Sequence, residues 1–489
     1  MLDCIAPDRH LALFYALFGL ANGYAATMMS VSLDIGMATA MELDDTQQSW
    51  LVTISAVVSI ASSLAAGPLA DWLGRRHAVL VSLVFMLLSG AVCAAADGFV
   101  VAMLGRGLGG VTYGLAVVAA PLHIAEVSSA ARRGMNLFLV VMVAEIGEVA
   151  SYATGLGLFS VAGGWRGPFI VSAALAAALL ALLPPVRESP RWLMMEGREN
   201  EARTTMGALG FANVEADAMV ADITADLSAT QHRPASWLET LAPSHAPTRR
   251  MLYVSWGVAV LSKAVGVSTV TNYLPEIVDE LGLASTPDQM WGSMAAISCK
   301  AIAICISSGL VDLVGRRPLL LFSFLSMAAS YVVLVAAMLV AADSTAAIVL
   351  GVLGLCLVLA ADGSGVSGMA NVLLSELAPI RFRAKSLGIA LALNSACSSL
   401  TTLTYYAVAA KVGEAGVWAI YAAVCVVGAA YAYLLVVETK GLRLEEVREV
   451  REQAARSEGP GGGVGRAHRR LGRAEDVYDG GDAGLIHRL

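Results

Sequence analysis

Long apolar runs constrain this sequence of 489 residues more than any other feature. A transmembrane helix needs about 20 mostly apolar residues, and the chain contains about a dozen such runs. The composition agrees, because 57% of the residues are hydrophobic and 15% are charged, whereas soluble domains average roughly 45 to 50% and 25%. We therefore predict an all-α membrane protein with twelve transmembrane helices, at about 11–38, 50–70, 78–97, 99–125, 135–160, 167–185, 251–275, 290–311, 318–341, 345–375, 385–410 and 415–436.

Charged residues between the runs indicate how the chain is oriented. Alternate loops carry acidic clusters with only Arg166 and Lys411 as cations, whereas the loops on the side of the N-terminus carry the other basic residues. By the positive-inside rule, both termini are expected in the cytoplasm. The first apolar run lacks a signal-peptide cleavage pattern, so it is expected to remain as the first span. The basic loop residues are Arg75, Arg76, Arg132, Arg133, Arg316, Arg317, Arg381, Arg383 and Lys385.

Several function classes find no support in the residue pattern. The seven cysteines are scattered, and all but Cys4 lie within apolar runs, so no disulfide or metal-ligand spacing is evident. No catalytic constellation or nucleotide-binding loop is present. We therefore expect no enzymatic activity, no cofactor, no metal ion and no nucleic-acid partner.

A sequence repeat divides the chain into two halves. The segment G-P-L-A-D-W-L-G-R-R, from Gly67 to Arg76, returns as G-L-V-D-L-V-G-R-R, from Gly309 to Arg317. Two similar six-span halves are typical of transporters that rock about a central site. The Gly- and Arg-rich end of the chain lacks apolar periodicity, which is typical of disorder. We predict a six-helix bundle at 1–185, a cytoplasmic helical linker at 186–250, a second six-helix bundle at 251–436, and a mostly disordered cytoplasmic tail at 437–489.

The repeat places paired arginines at the ends of spans. Arg75 and Arg76 are positioned to hold an acid on a neighbouring span end, which in the first half is Glu126, and Glu376 is the corresponding acid of the second half. Because such pairs have to break or slide when the inner gate opens, we interpret them as latches of the outward-open state. Arginines that only set the topology are the alternative. The candidate gating residues are Asp71, Arg75, Arg76, Glu126, Arg133, Asp312, Arg316, Arg317, Glu376 and Arg383.

Four further motifs resemble those of a known family. They are P-L-H-I-A-E ending at Glu126, R-E-S-P-R-W-L beginning at Arg187, S-E-L-A-P around Glu376, and V-E-T-K-G beginning at Val437. With the repeat, they resemble the sugar porter branch of the major facilitator superfamily over about residues 10–445. The resemblance implies the major facilitator fold, with two six-helix bundles, and transport of a small molecule by alternating access.

At the positions where this branch contacts sugar, the sequence differs from the family. The usual amide side chains and stacking indole are mostly absent, and alanine stands at position 25, where the branch's proton symporters carry an acid. Both differences speak against ordinary glucose-type proton symport, although they leave proton coupling through other acids open. The corresponding substrate-site positions are Val141 in span five, Ser262, Lys263 and Ser268 in span seven, Asn371 in span ten, and Asn394 with Ser395 in span eleven.

Five charged residues lie inside predicted spans: Glu145 and Glu148 in span five, Lys263 in span seven, Lys300 in span eight and Asp362 in span ten. A charged side chain near the bilayer centre costs several kcal/mol unless it is paired or faces water, so each is a functional candidate. Lys263 lies about 12 residues into its span, or about 18 Å deep at 1.5 Å per residue. We predict that Lys263 and Lys300 contact substrate. The alternative is a buried pair with Asp362 or a span-five glutamate that only fixes packing.

Arg106 in span four matches the arginine that faces the span-one acid in the branch's proton symporters. Because that acid is absent, Arg106 is expected to reach Asp34, Glu145 or Glu148, or to face an aqueous cavity. Glu145 and Glu148 share one helix face and cannot both ionise cheaply in a low dielectric. The proton-coupling candidates are therefore Glu148 first, then Glu145, together with Arg106 and Asp362.

The sequence predicts a secondary transporter for a small polar organic solute. An organic anion is favoured, because Lys263, Lys300 and Arg106 offer partners to a carboxylate. A sugar or polyol transporter is the alternative, and a non-transporting receptor or sensor is the alternative of another class. The predicted partners are the lipid bilayer and the small-molecule substrate, with proton coupling and uniport both left open.

Overall fold

The computed structural model describes residues 7–128, 133–211, 236–283, 285–339, 345–368 and 382–436, with short pieces at 216–217, 219–221, 224 and 373. Every regular element in this part of the chain is a helix. Eleven of the described helices are long and apolar enough to cross a membrane. The predicted all-α membrane fold is therefore confirmed.

Six long helices form the first half: α1 (Pro7–Ser32), α2 (Asp45–Leu73), α3 (Arg75–Ala94), α4 (Phe99–Val127), α5 (Arg133–Leu158) and α6 (Gly167–Leu182). α1 continues past Ser32 as a π-helical segment, Leu33–Met37. The start of α2 shows how local sequence sets a helix boundary. The Asp44 carboxylate accepts from the Gln47 backbone N–H at 2.7 Å, and the Gln47 side chain accepts from the Asp44 N–H at 3.2 Å. This reciprocal cap satisfies donors that a helix N-terminus leaves unpaired.

The described residues between the halves include the short helices α7 (Pro190–Met195), α8 (Glu199–Ala208) and α9 (Trp237–Leu241). The Ser189 hydroxyl caps α7 by accepting a backbone N–H of its first turn at 3.2 Å. At α8, Arg198 donates to the Glu201 carboxylate at 2.8 and 2.6 Å, and these hydrogen bonds hold the pKa of Glu201 below its ordinary value. Most of 212–235 and all of 437–489 lie outside the described residues, and with them the predicted disordered tail.

The second half contains α10 (Ala246–Ala264), α11 (Val267–Asn272), α12 (Leu274–Glu280), α13 (Thr286–Val314), α14 (Arg316–Leu339), α15 (Thr345–Ala361), α16 (Arg383–Val412) and α17 (Glu414–Leu435). Five of these helices, α13 to α17, match predicted spans eight to twelve. The remaining predicted span is built from α10, α11 and α12.

Span seven is broken, contrary to the prediction of one continuous helix at 251–275. Gly266 adopts φ +84° between α10 and α11, a conformation that favours glycine, and a Cβ atom there would lie 2.3 Å from a ring carbon of Tyr421. A second break precedes α12, whose first turn contains Pro275. The first break places Lys263 in the last turn of α10, where its carbonyl accepts the Gly266 N–H at 3.0 Å.

A second irregularity follows α15, which continues as a π-helical segment, Asp362–Val366. A Cβ at Gly363 would lie 2.6 Å from the Lys300 carbonyl oxygen, so glycine permits the backbones of α15 and α13 to touch. The Ser323 hydroxyl donates to the last carbonyl of α15 at 2.6 Å and accepts from the Val366 N–H at 3.0 Å. These hydrogen bonds satisfy the widened turn and hold it against α14, and the close approach at Gly363 places Asp362 beside α13.

The two halves meet along two helix pairs, α2 with α16 and α5 with α13. Ser59 on α2 and Ser395 on α16 share a hydrogen bond of 2.9 Å across the first pair. The Ser30 hydroxyl on α1 also donates to the Asn272 carbonyl at the end of α11. Within the first half, α1 packs on α5 and α2 packs on α4. The charged residues of α5 and α13 are therefore placed at the contact between the halves.

Candidate transport site and charge networks

A buried ion triad joins the two halves. The Lys300 ammonium on α13 lies 3.0 Å from a Glu145 carboxylate oxygen and 3.2 Å from a Glu148 carboxylate oxygen, both on α5. The side chains of Lys300 and Glu145 are buried, at 8% and 7% exposure, and that of Glu148 is mostly buried, at 12%. The positive charge of Lys300 is therefore paired with two acids from the opposite half. This arrangement matches the alternative of a buried pair with the span-five glutamates, and it differs from the predicted direct contact between Lys300 and an anionic substrate.

Lys263 and Asp362 lie close enough to complete a five-residue charge cluster with this triad. Asp362 is 3% exposed and interacts electrostatically with Lys300, Lys263 and Glu145, and Lys263 also acts on Glu148. Within the described part of the chain, neither Lys263 nor Asp362 forms an ion pair shorter than 4.0 Å. The cluster contains two lysines and three acids, so it carries one acidic group in excess.

The predicted substrate-contacting positions of the second half lie partly together. The Asn394 amide on α16 donates to the Ser262 hydroxyl at 3.1 Å and to the Ala259 carbonyl at 3.2 Å, both on α10. Ser268 is buried in the first turn of α11, two residues beyond Gly266. The Asn394 amide therefore joins α16 to the turn of α10 that contains Lys263.

The other predicted substrate positions do not take part in the hydrogen bonds between α10 and α16. Val141 is 39% exposed on α5, about one turn from Glu145. Asn371 lies outside the described residues, so its predicted role stays a prediction.

Arg106 does not reach the acids predicted for it. Its guanidinium Nε donates to the Leu51 carbonyl on α2 at 3.1 Å, and its own carbonyl accepts from the Ser55 hydroxyl at 2.8 Å. Among the described residues it forms no ion pair with Glu145 or Glu148. The physical reason is the tight contact of α4 with α2, because Arg106 is 6% exposed and directed at the α2 backbone.

The first-half copy of the repeat forms the contact predicted for it. Arg75 donates from Nε to Glu126 at 2.9 Å and from a terminal nitrogen at 3.3 Å, and it also lies 3.1 Å from Asp71. Arg75 is 4% exposed. A bidentate, buried pair of this kind fixes the end of α4 against the start of α3. The gating role assigned to the pair remains a prediction.

The R-E-S-P-R-W-L segment contributes contacts that the sequence reasoning missed. The Glu188 carboxylate accepts from the Arg76 backbone N–H at 3.0 Å and so caps the N-terminus of α3. The Ser189 hydroxyl hydrogen-bonds to Glu126, and the Trp192 indole donates to the Asp71 carbonyl at 2.8 Å. In the sequence, an acid and a serine directly before Pro190 are typical of a helix start. This pattern does not show which residues Glu188, Ser189 and Trp192 contact.

The second-half copy of the repeat is only partly described. The Arg317 guanidinium donates to the Tyr433 carbonyl on α17 at 2.5 Å and lies 5.3 Å from the centre of the Tyr433 ring. Arg316 begins α14. Glu376 lies outside the described residues, as do the side chains of Asp312, Arg133 and Arg383. The predicted pairing of Arg316 with Glu376 therefore stays a prediction.

The sequence model of the family described as "Sugar (and other) transporter" matches residues 13–450. The chain belongs to this family. Probable polyol transporter 4 of Arabidopsis thaliana is 29% identical over 441 residues, which covers 89% of this chain and 83% of the relative. The galactose-proton symporter of Escherichia coli K12 is 27% identical over 439 residues, covering 89% of this chain and 92% of the relative. A partially occluded inward-open structure of the xylose transporter XylE from E. coli has a TM-score of 0.76 and 22% identity, covering 90% of this chain and 100% of that one.

As a member of the sugar (and other) transporter family, the chain is a multi-pass integral membrane transporter and not an enzyme. Two predictions are therefore confirmed, the resemblance to the sugar porter branch and the major facilitator fold. The preference for an organic anion is not supported by these relatives, which are named for polyols and galactose. The triad gives the physical reason, because the Lys300 charge that was assigned to an anion is already balanced within the protein.

Proposed function

We propose that this protein is a proton-coupled transporter of a neutral sugar or polyol. The observation that carries the proposal is the pairing of Lys300 with Glu145 and Glu148. Arg106, the other cation expected to attract a carboxylate, is directed at a backbone carbonyl of α2. With two lysines against three acids, the intramembrane cluster has no excess positive charge to offer an anion. A neutral solute therefore fits this charge distribution better.

The uncharged polar groups at the contact between halves support the same substrate class. Asn394 and Ser262 form one hydrogen-bonded group on α16 and α10, and Ser59 with Ser395 forms another across the halves. Hydroxyl and amide groups can both donate and accept, which suits a ligand whose surface is mostly hydroxyl groups. The relatives' names, polyol transporter and galactose-proton symporter, agree with this choice.

The proposed transport cycle is alternating access by the two halves, at 1–185 and 251–436, connected by the linker at 186–250. We place both termini and the Arg75–Glu126 pair on the cytoplasmic side, because the basic residues concentrate on that side of the predicted spans. In this scheme the Arg75–Glu126 contact stabilises the state in which the cytoplasmic side is closed.

Counterflow in proteoliposomes tests the substrate class. Liposomes with purified protein are loaded with unlabelled solute, and entry of the labelled solute is followed for xylose, galactose, sorbitol, succinate and an amino acid. Protein-free liposomes are the control. Counterflow confined to sugars and polyols would support the proposal, whereas counterflow confined to succinate would contradict it.

A further inference from the structure

We propose that Glu145, Glu148 and Lys300 form a binding site for one exchangeable proton and that this site couples proton movement to transport. The inference rests on the proposed function and assigns its coupling step to particular residues. It departs from the family resemblance, which places the acid in span one, where this chain has Ala25.

The position of the triad favours this role. Lys300 is near the middle of the 29-residue helix α13, and Glu145 and Glu148 are near the middle of the 26-residue helix α5. Because α5 belongs to the first half and α13 to the second, a change of charge in the triad acts directly on the contact about which the halves move. Glu148 is also tied to α1, since its backbone carbonyl accepts from the Thr27 hydroxyl at 3.5 Å.

The charge balance of the five-residue cluster favours the binding of one proton. When every group is ionised, two ammonium groups face three carboxylates, and a proton on one carboxylate makes the cluster neutral. A low-dielectric site favours the neutral arrangement. The proton comes from water on one side of the membrane, forms an O–H bond with a glutamate oxygen, and returns to water on the other side. While it is bound, Lys300 has one anionic partner instead of two.

Other titratable groups lie around this cluster and contribute to its pH dependence. Tyr152 lies about two turns beyond Glu145 on α5. It interacts electrostatically with Glu148 and Lys300, and also with Asp34 and Glu276. The groups on α5 and on the elements packed near it are Tyr152 on α5, Tyr24 on α1, Asp34 on the π-helical extension of α1, Arg106 on α4, Lys263 on α10, Glu276 on α12, Lys300 on α13 and Asp362 after α15.

Each glutamate contributes differently to the triad. Glu145 makes the shorter contact with Lys300, at 3.0 Å. Glu148 lies at 3.2 Å and is also influenced by Lys263. Glu148 accepts hydrogen bonds from the Lys300 ammonium at both of its carboxylate oxygens, at 3.2 and 3.4 Å. Glu148 is also the more exposed of the two acids, at 12% against 7%, so the geometry points to Glu148 as the acid that loads and releases the proton.

The test compares accumulation with counterflow in proteoliposomes for the wild type, Glu148→Gln and Glu145→Gln. A carrier that moves one proton with each solute can accumulate solute about tenfold for each pH unit of gradient, since one pH unit corresponds to about 1.4 kcal/mol. We expect Glu148→Gln to lose this accumulation, with a final ratio near one, while it still shows counterflow. Glutamine resembles the protonated acid, so exchange of bound solute does not require the missing proton. Glu42→Gln, at an exposed position between α1 and α2, is the matched control and should accumulate solute like the wild type.

Two outcomes would overturn the inference. The first is unchanged proton-driven accumulation in both Glu148→Gln and Glu145→Gln. The second is accumulation by the wild type that follows a sodium gradient and ignores the proton gradient. Absence of counterflow with every sugar and polyol in the wild type would instead contradict the proposed function.

A second measurement keeps the inference testable where a variant loses its fold. Calorimetry of sugar binding to the purified wild type in two buffers of different ionisation enthalpy reports protons taken up on binding. Proton uptake by the wild type that is absent in Glu148→Gln, or in Glu148→Asp if the glutamine variant does not fold, supports the site. Equal uptake in the wild type and in the folded variant contradicts it.

Discussion

Replacing Lys300 with methionine tests whether the triad stabilises the folded protein. In the wild type the ammonium lies 3.0 Å from Glu145 and 3.2 Å from Glu148, and none of the three side chains is more than 12% exposed. Methionine is unbranched and adaptable, so packing changes little. Removing one partner from a buried ion pair costs about 3–5 kcal/mol, because the remaining charge is left uncompensated. We expect a loss of this size in the free energy of unfolding.

The loss caused by Lys300→Met should depend on pH. Without Lys300, protonation of a glutamate removes an uncompensated buried charge from the folded protein. The folded variant therefore binds more protons than the unfolded chain. Stability then falls as pH rises, and the deficit relative to the wild type is largest at alkaline pH. The double variant Lys300→Met with Glu148→Gln retains one of the two acids and should recover part of the deficit.

The assay is denaturant unfolding in detergent at about pH 5.5 and about pH 8 for the wild type, the single variant and the double variant. Adding the single variant Glu148→Gln completes a double-mutant cycle that isolates the coupling between Lys300 and Glu148. If Lys300→Met were as stable as the wild type at the alkaline pH, or if its deficit were equal at both pH values, the reasoning about the triad would be refuted.

Three further predictions concern other contacts. Arg75→Gln should slow turnover while changing the dissociation constant of substrate little, because the pair with Glu126 lies at helix ends and not among the substrate positions; equal losses in binding and turnover would contradict a gating role. Glu188→Gln should lower the free energy of unfolding by about 0.5–2 kcal/mol, the usual range for a lost helix cap; an unchanged denaturation midpoint would contradict the capping role. Gly266→Ala should reduce the yield of folded protein, because its Cβ would lie 2.3 Å from a Tyr421 ring carbon, and a wild-type yield in size-exclusion chromatography would show that the break in span seven does not need glycine.

The sequence predicted the spans well because apolar length is a property of each segment alone. It predicted the Arg75–Glu126 contact because a repeat revealed which basic and acidic residues belong to one structural unit. It missed the break at Gly266, where a single glycine in an otherwise apolar run gave no clear end of a helix. The positive φ and the close Tyr421 ring are features of the tertiary structure.

The candidate site was predicted less completely than the fold. The spacing of Glu145 and Glu148 placed both acids on one face of α5, and the scarcity of charge in membrane spans identified Lys300 as a functional candidate. Their pairing depends on how α5 of one half packs on α13 of the other, which no local pattern encodes. Arg106 shows the same difficulty, since its partner is a backbone carbonyl on α2, a group that every residue has.

The prediction of an organic anion was made without knowledge of these tertiary contacts. Counting Lys263, Lys300 and Arg106 as available cations favoured an organic anion, whereas the structure shows Lys300 held by two acids and Arg106 directed at a carbonyl. A count of charges in a sequence cannot distinguish a free ammonium from one that is already paired. The neutral alternative, a sugar or polyol, agrees with both the geometry and the relatives.

Uptake of a labelled sugar or polyol into proteoliposomes under an imposed proton gradient tests the central claim most directly. With an acidic exterior and no solute gradient, the account predicts accumulation of the solute inside by about tenfold per pH unit, and collapse of the gradient by a protonophore should release it. Equilibration to equal concentrations on both sides, with or without the gradient, would contradict proton-coupled transport of this substrate class.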